Sequence, residues 1–96
     1  MMVLITYDVN TESASGQKRL RKVAKICEKY GQRVQNSVFE CLLDATQYIL
    51  VKNSLLELID TNNDSLRFYR LGNNYKNQID ILGKKIDYSQ DEILIL

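Results

Sequence analysis

The stretch Met2-Val-Leu-Ile-Thr-Tyr-Asp8 restricts the possible folds more than any other part of the chain. Strand alternation sends Val3, Ile5 and Tyr7 to one face, and Leu4, Thr6 and Asp8 to the other. Both sets are mostly apolar, which predicts a central strand covered on both faces. Asp8 falls where this strand leaves the core. An acid there can form a turn or cap a helix; it can also stand as a metal ligand on a rigid strand end.

The following segment, from Val9 to Gly16, is polar and turn-rich, with Thr11, Ser13 or Ser15 as helix N-cap. Leu20, Val23, Ala24 and Cys27 then recur at helical spacing, which predicts a helix to about Tyr30. Gly31 suits the left-handed residue that closes it. Residues 32–43 read as two short strands around a tight turn near Gln35-Asn36-Ser37. Val38, Phe39, Cys41, Leu42 and Leu43 give the second strand its β-propensity. Asp44 with Gln47 predicts a capping box opening a second helix. Tyr48, Val51, Leu55, Leu58 and Ile59 form its inner face, and Asn62-Asn63-Asp64 ends it. Leu66 to Leu71 is a further strand, with Leu66 and Phe68 on one face and Tyr69 and Leu71 on the other.

This order, βαββαβ, is the split βαβ arrangement of the α+β ferredoxin-like class. Right-handed crossovers place both helices on one sheet face and leave the other bare. The tail alternates again at Gln78-Ile-Asp-Ile-Leu82, like a fifth strand, and ends in Ile93-Leu-Ile-Leu96. Such apolar segments call for burial. The expectation is one domain, residues 1–96, whose 78–96 segment packs on a second subunit in a homodimer with sheet faces together.

Composition removes whole classes of chemistry. There is no histidine, hence no His general base, no Ser-His-Asp triad and no His-containing zinc site. Hydrolysis would need carboxylates, a metal-activated water, or Tyr and Lys. Cys27 and Cys41 are too far apart in sequence for a close-spaced metal or redox pair. They read as reduced thiols, and with no signal-like or membrane-length apolar run the chain is expected in the cytoplasm. Net charge is only +1, but residues 17–33 hold seven bases and one acid against six bases and eleven acids elsewhere. Such a concentrated basic segment is the footprint of a phosphate-binding face, or else a solvated helix face. If two bare sheet faces meet, two copies of Asp8 could approach. With water they would suit Mg²⁺, which takes few carboxylates and shares substrate phosphates.

These features resemble a known family, the small CRISPR-associated adaptation proteins of prokaryotic antiviral defence, the non-integrase partner in spacer acquisition. The resemblance rests on the strand ending Thr6-Tyr7-Asp8, the helix Lys18-Arg19-Leu20-Arg21-Lys22-Val23, and Arg33-Val-Gln-Asn-Ser-Val-Phe-Glu40. It continues in Leu66-Arg-Phe-Tyr-Arg-Leu-Gly72 with Asn73-Asn74-Tyr75, and resembles most closely a type I branch. It implies a ferredoxin-like homodimer that bridges CRISPR integrase subunits. It also implies a metal-dependent endonuclease whose aspartate, at Asp8, binds Mg²⁺, with Mn²⁺ as a possible substitute. Substrates in the family are double-stranded DNA and single-stranded RNA. The resemblance places Arg19 and Arg33 first, then Lys18, Arg21 and Lys22, on nucleic-acid phosphates. Tyr7, Ser37 and Phe39 would support the site and interface, with Phe39 equally readable as a core aromatic. Three other readings remain at this point: an integration adaptor without physiological nuclease activity, an mRNA-cleaving toxin of the same fold, and an RRM-type RNA-binding sheet. The last lacks the aromatic, glycine-containing strand it needs.

Overall fold

The computed structural model describes residues 1–83. Its elements run β1 (Met2–Asp8), α1 (Ala14–Cys27), β2 (Gly31–Gln35), β3 (Val38–Leu42), α2 (Ala45–Leu58) and β4 (Ser65–Gly72), followed by a 3-10 turn at Tyr75–Asn77. The four strands form one antiparallel sheet in the order β2-β3-β1-β4. This is the expected βαββαβ fold, with β1 held between β3 and β4.

Local chemistry fixes the helix starts. Ser13 caps α1, its hydroxyl accepting the Gly16 amide at 3.0 Å. Asp44 and Gln47 form the reciprocal capping box of α2. Helix α1 stops at Cys27, one turn earlier than the apolar stripe suggested, and residues 28–30 form turns. Gly31 does not close it in the left-handed region, because the positive-φ glycines among the described residues are Gly72 and Gly83. Gly31 instead begins β2, where a Cβ would sit 1.9 Å from the Glu40 carbonyl oxygen. Close backbone approach, rather than φ, requires glycine there.

The core lies between the sheet and both helices. Ile5 on β1 stands opposite Phe39 on β3 and Phe68 on β4. Val3, Ile5, Tyr7, Phe39 and Cys41 from the sheet meet Val23, Ala24, Cys27, Val51 and Leu55 from the helices, all buried. Tyr48 of α2 packs edge-on against Phe68 at 5.8 Å, and Lys52 and Arg70 lie over its ring. That contact clips α2 to the outer strand β4. Cys27 and Cys41, distant in sequence, meet in the core, with the Cys41 thiol donating to the Cys27 carbonyl at 3.4 Å. The neighbouring Cys41 thiol and burial push the Cys27 thiol far up, so Cys27 is an inert packing thiol at neutral pH.

The other sheet face is left open, as the crossovers imply. Leu4 and Thr6 of β1 are only half-buried, together with Val38, Leu42 and Leu71 beside them, and Tyr69 is 43% exposed. Only Met2 is fully enclosed there, under Leu42, Leu71 and Tyr75. The 3-10 turn lays Tyr75 over that end of the face. Residues 78–82, expected as a fifth strand on a partner subunit, form no ladder with this chain's sheet among the described residues. A strand requires a neighbouring edge, and the 3-10 turn carries the chain off β4 before it can return. The segment from 84 to 96, expected to pack on a second subunit, lies outside the described residues.

Candidate nucleic-acid and metal site

The functional end of the sheet is where β1 finishes. Asp8 pairs with Ser65 of β4, and the Tyr7 amide donates to the Ser37 carbonyl at 2.9 Å. The turn between β2 and β3 and the start of β4 therefore converge on the last two residues of β1. Because strand side chains alternate, Tyr7 and Asp8 enter different surroundings.

Tyr7 points into the core side and is buried. Its hydroxyl donates to Asp64, whose side chain is 0% exposed. The same carboxylate accepts Arg19 Nε at 2.8 Å and Nη2 at 3.0 Å, and the Asp60 amide at 3.0 Å. Burial alone would push the Asp64 carboxyl up, but hydrogen bonds from Arg19, Tyr7 and the Asp60 amide outweigh it and hold the group below its ordinary value. Burial and the Asp64 hydrogen bond push Tyr7 from 10.0 up to about 12. The Asp64 carboxylate likewise locks Arg19 in its charged form. This bidentate, charge-assisted arrangement ties α1, β1 and the loop after α2 together.

Asp8 points the other way. It is exposed, and makes no hydrogen bond or ion pair with any described residue. A groove of about 870 Å³ curves around it, from α1 to the open sheet face. Among the described residues Asp8 is the one acid on its wall; Arg21, Arg33 and Arg67 supply the charge around it, and Thr11, Gln17 and Ser37 add polar atoms. Arg33 is braced by its Nε, which donates to the Asn36 carbonyl at 2.8 Å, and by the Phe39 ring 5.7 Å below its guanidinium.

Of the residues singled out from sequence, the structure thus brings Tyr7, Asp8, Arg21, Arg33 and Ser37 to one groove. Lys18 and Lys22 are exposed on α1 but do not line it. Arg19 turns away from the groove onto Asp64. Phe39 is fully buried and works beneath Arg33, as a core aromatic. Two residues were missed. Asp64 read as a helix terminator. Arg67 was given no role, although alternation in β4 and the strand order together assign it to the Asp8 face.

Residues 1–79 match the family described as CRISPR associated protein Cas2. The chain belongs to the Cas2 family. It is 59% identical, over 99% of both chains, to the CRISPR-associated endonuclease Cas2 of Halalkalibacterium halodurans. It is 50% identical, over all of this chain and 94% of the other, to the CRISPR-associated endoribonuclease Cas2 of Nitratidesulfovibrio vulgaris. The crystal structure of Streptococcus pyogenes Cas2 at pH 6.5 superimposes with a TM-score of 0.81 at 55% identity, covering 86% of this chain and 100% of that one.

Among the described residues no three His, Cys, Asp or Glu side chains gather as a metal cluster. A Cas2 chain of this sequence therefore offers, among the described residues, one carboxylate in the groove, Asp8, with its lone pairs unclaimed. That donor set fits Mg²⁺, which keeps several waters and takes one or two carboxylates with substrate phosphates. It does not fit a metal that demands a full protein cage. Among the described residues no helix is long and apolar enough to cross a membrane.

Proposed function

We propose that this chain is a metal-dependent endonuclease of CRISPR adaptation, acting in the cytoplasm on phosphodiester bonds of double-stranded DNA or single-stranded RNA. One observation carries the reading: among the described residues Asp8 is an unpaired carboxylate and the single acid in a groove otherwise edged by arginines. Structural acids in this molecule look different, as Asp64 shows. The relatives' names, endonuclease in one case and endoribonuclease in another, support the reaction class and leave the two substrates side by side.

In this mechanism Asp8 would hold Mg²⁺ or Mn²⁺. The ion, when bound, supplies a polarised water and neutralises charge on phosphate. Arg21 and Arg33 hold the backbone phosphates to either side of the reacting one. Tyr7, through its amide to Ser37 and its hydroxyl to Asp64, fixes the strand end that aims Asp8. The half-buried Leu4, Val38 and Leu42 on the open face support a face-to-face homodimer, in which two Asp8 residues would share one cleft. Residues 78–96 would then complete the sheet of the partner subunit.

A second role is favoured by a separate observation. Lys18, Lys22 and Lys25 are exposed on α1 outside the groove. They suit sequence-independent contact with a duplex that the dimer presents to CRISPR integrase subunits. One experiment separates the two roles. Wild type and Asp8→Ala are incubated with labelled duplex DNA and single-stranded RNA, in Mg²⁺ or EDTA, and spacer acquisition is scored in cells. Cleavage lost in the variant, with acquisition retained, establishes Asp8 as the nuclease ligand and leaves acquisition to the adaptor surface. Metal-dependent cleavage that survives Asp8→Ala overturns the nuclease mechanism.

A further inference from the structure

The three arginines of the groove are not equivalent. Arg33 is committed at the β2–β3 turn by its hydrogen bond to Asn36 and by the Phe39 ring. Arg21 stands on α1, on the flank away from the open sheet face. Arg67 alone lies on the same face as Asp8. It pairs across the ladder with Thr6, while its neighbour two residues earlier, Ser65, pairs with Asp8. Asp8 and Arg67 are therefore diagonal neighbours, with Cβ atoms about 7 Å apart in an antiparallel sheet, within reach of a long side chain.

They nevertheless make no ion pair. The Tyr69 hydroxyl, 3.5 Å from Nη1, and then the charge of Asp8 favour the cationic form of Arg67. Its guanidinium is exposed and bonded to no carboxylate among the described residues. An acid and a cation that share a sheet face without closing on one another leave a gap. A phosphate would fill such a gap, its oxygens toward the guanidinium fork, with Asp8 left to hold a metal beside it.

We infer that Arg67 is a catalytic residue that grips the non-bridging oxygens of the phosphate next to Asp8 and offsets the charge that builds on them during cleavage; this rests on the nuclease reading above. In the step it assists, a water oxygen forms the new bond to phosphorus and its proton passes to solvent. The bond to the leaving sugar oxygen breaks, and its electron pair stays on that oxygen, which takes a proton from solvent. Arg67 transfers no proton. It holds a fixed positive charge where negative charge develops, in the manner of a preorganised electrostatic site.

The test compares wild type with Arg67→Ala and Arg67→Lys. Cleavage of labelled duplex and of single-stranded RNA is followed in Mg²⁺, with and without added guanidinium ion. Binding of the same nucleic acids is titrated against salt in EDTA. The expected result for Arg67→Ala is a kcat loss of about 100-fold, with KM within about fivefold. Added guanidinium should restore part of the rate, Arg67→Lys should fall between the two, and thermal unfolding should not change. In EDTA the slope of binding against salt should fall by about one. A kcat within twofold of wild type overturns the assignment. So does a loss that guanidinium does not touch and that accompanies a lower melting temperature. If wild type cleaves nothing, the nuclease reading falls by itself. The EDTA titration then decides Arg67: an unchanged salt slope removes the phosphate contact, and a reduced slope retains it.

Discussion

Two acid–arginine pairs lie back to back across one peptide bond of β1, and they could hardly be more different. On the Tyr7 side, Asp64 takes hydrogen bonds from Arg19, Tyr7 and the Asp60 amide, and solvent does not reach its side chain. On the Asp8 side, Asp8 and Arg67 share a sheet face but neither closes on the other. The first pair has exhausted its bonding capacity within the fold. The second has kept it. A buried charge must be paired and hydrogen-bonded or it costs the fold heavily, so Asp64 has a structural reason to exist. Exposed Asp8 has none of that kind, and unspent carboxylate oxygens beside unspent guanidinium donors are what a phosphate and its metal require.

Substitution should separate the pairs cleanly. Asp8→Asn keeps shape and removes charge; it should lower cleavage by about 1,000-fold or more, since both metal and polarised water depend on that carboxylate. Its melting temperature should stay within a degree or so of wild type. A large drop in melting temperature would mean that Asp8 is a structural acid after all, and the contrast would collapse. Asp64→Ala should do the reverse. It strands the Tyr7 hydroxyl and Arg19 at the rim of the core, and should cost about 3 kcal/mol in urea unfolding. Any protein that still folds should retain metal-dependent cleavage at low temperature. Unfolding midpoints equal to wild type would show that the network contributes nothing.

This contrast was half legible in the sequence. The strand pattern of residues 2–8 gave Asp8 its place at a strand end. The apolar stripe of α1, the capping box at Asp44 and the alternation in β4 gave the fold. What local pattern could not reveal was which arginine meets which acid. Arg19 and Asp64 are 45 residues apart, and nothing at helical or strand spacing announces their pairing. Arg19 therefore read as one more base in a phosphate-binding helix. Its side chain is only 20% exposed and is spent on Asp64. Conversely, Arg67 became visible only when β4 was laid beside β1 in register. The segment from 78 to 82 is a different case: its alternating pattern fits a strand, but a strand is a property of two edges, and its expected partner edge belongs to a second subunit.

The closed network also has a pH signature. Tyr7 is pushed from 10.0 to about 12 in the folded chain. A tyrosine whose folded value is raised stabilises the fold fully below its unfolded value and loses that contribution as pH rises through the folded one. Asp64, held below its ordinary value, behaves in the opposite sense: its contribution is present above the unfolded carboxylate range and is lost as pH falls through the folded value. The difference in unfolding free energy between wild type and Tyr7→Phe should therefore be flat from neutral pH to pH 10, and should shrink between about pH 10 and 12. A difference that stays constant to pH 12 would show that the Tyr7 hydroxyl is not tied to Asp64.

The smallest effect belongs to the exposed face of α1, which resembles neither pair. Lys18 and Lys22 have charge but, among the described residues, no partner acid and no place in the groove. Each is a mobile point charge, so each should contribute to binding by counterion release alone. Lys22→Ala should weaken duplex binding by no more than a few-fold at moderate salt, lower the salt slope by about one, and leave kcat unchanged. The effect should be the same for every duplex sequence, because phosphates carry no sequence information. A kcat loss in Lys22→Ala would extend the active groove along α1. A binding loss that depended on sequence would mean that the helix reaches base edges, which a face built from lysines on one exposed stripe is poorly shaped to do.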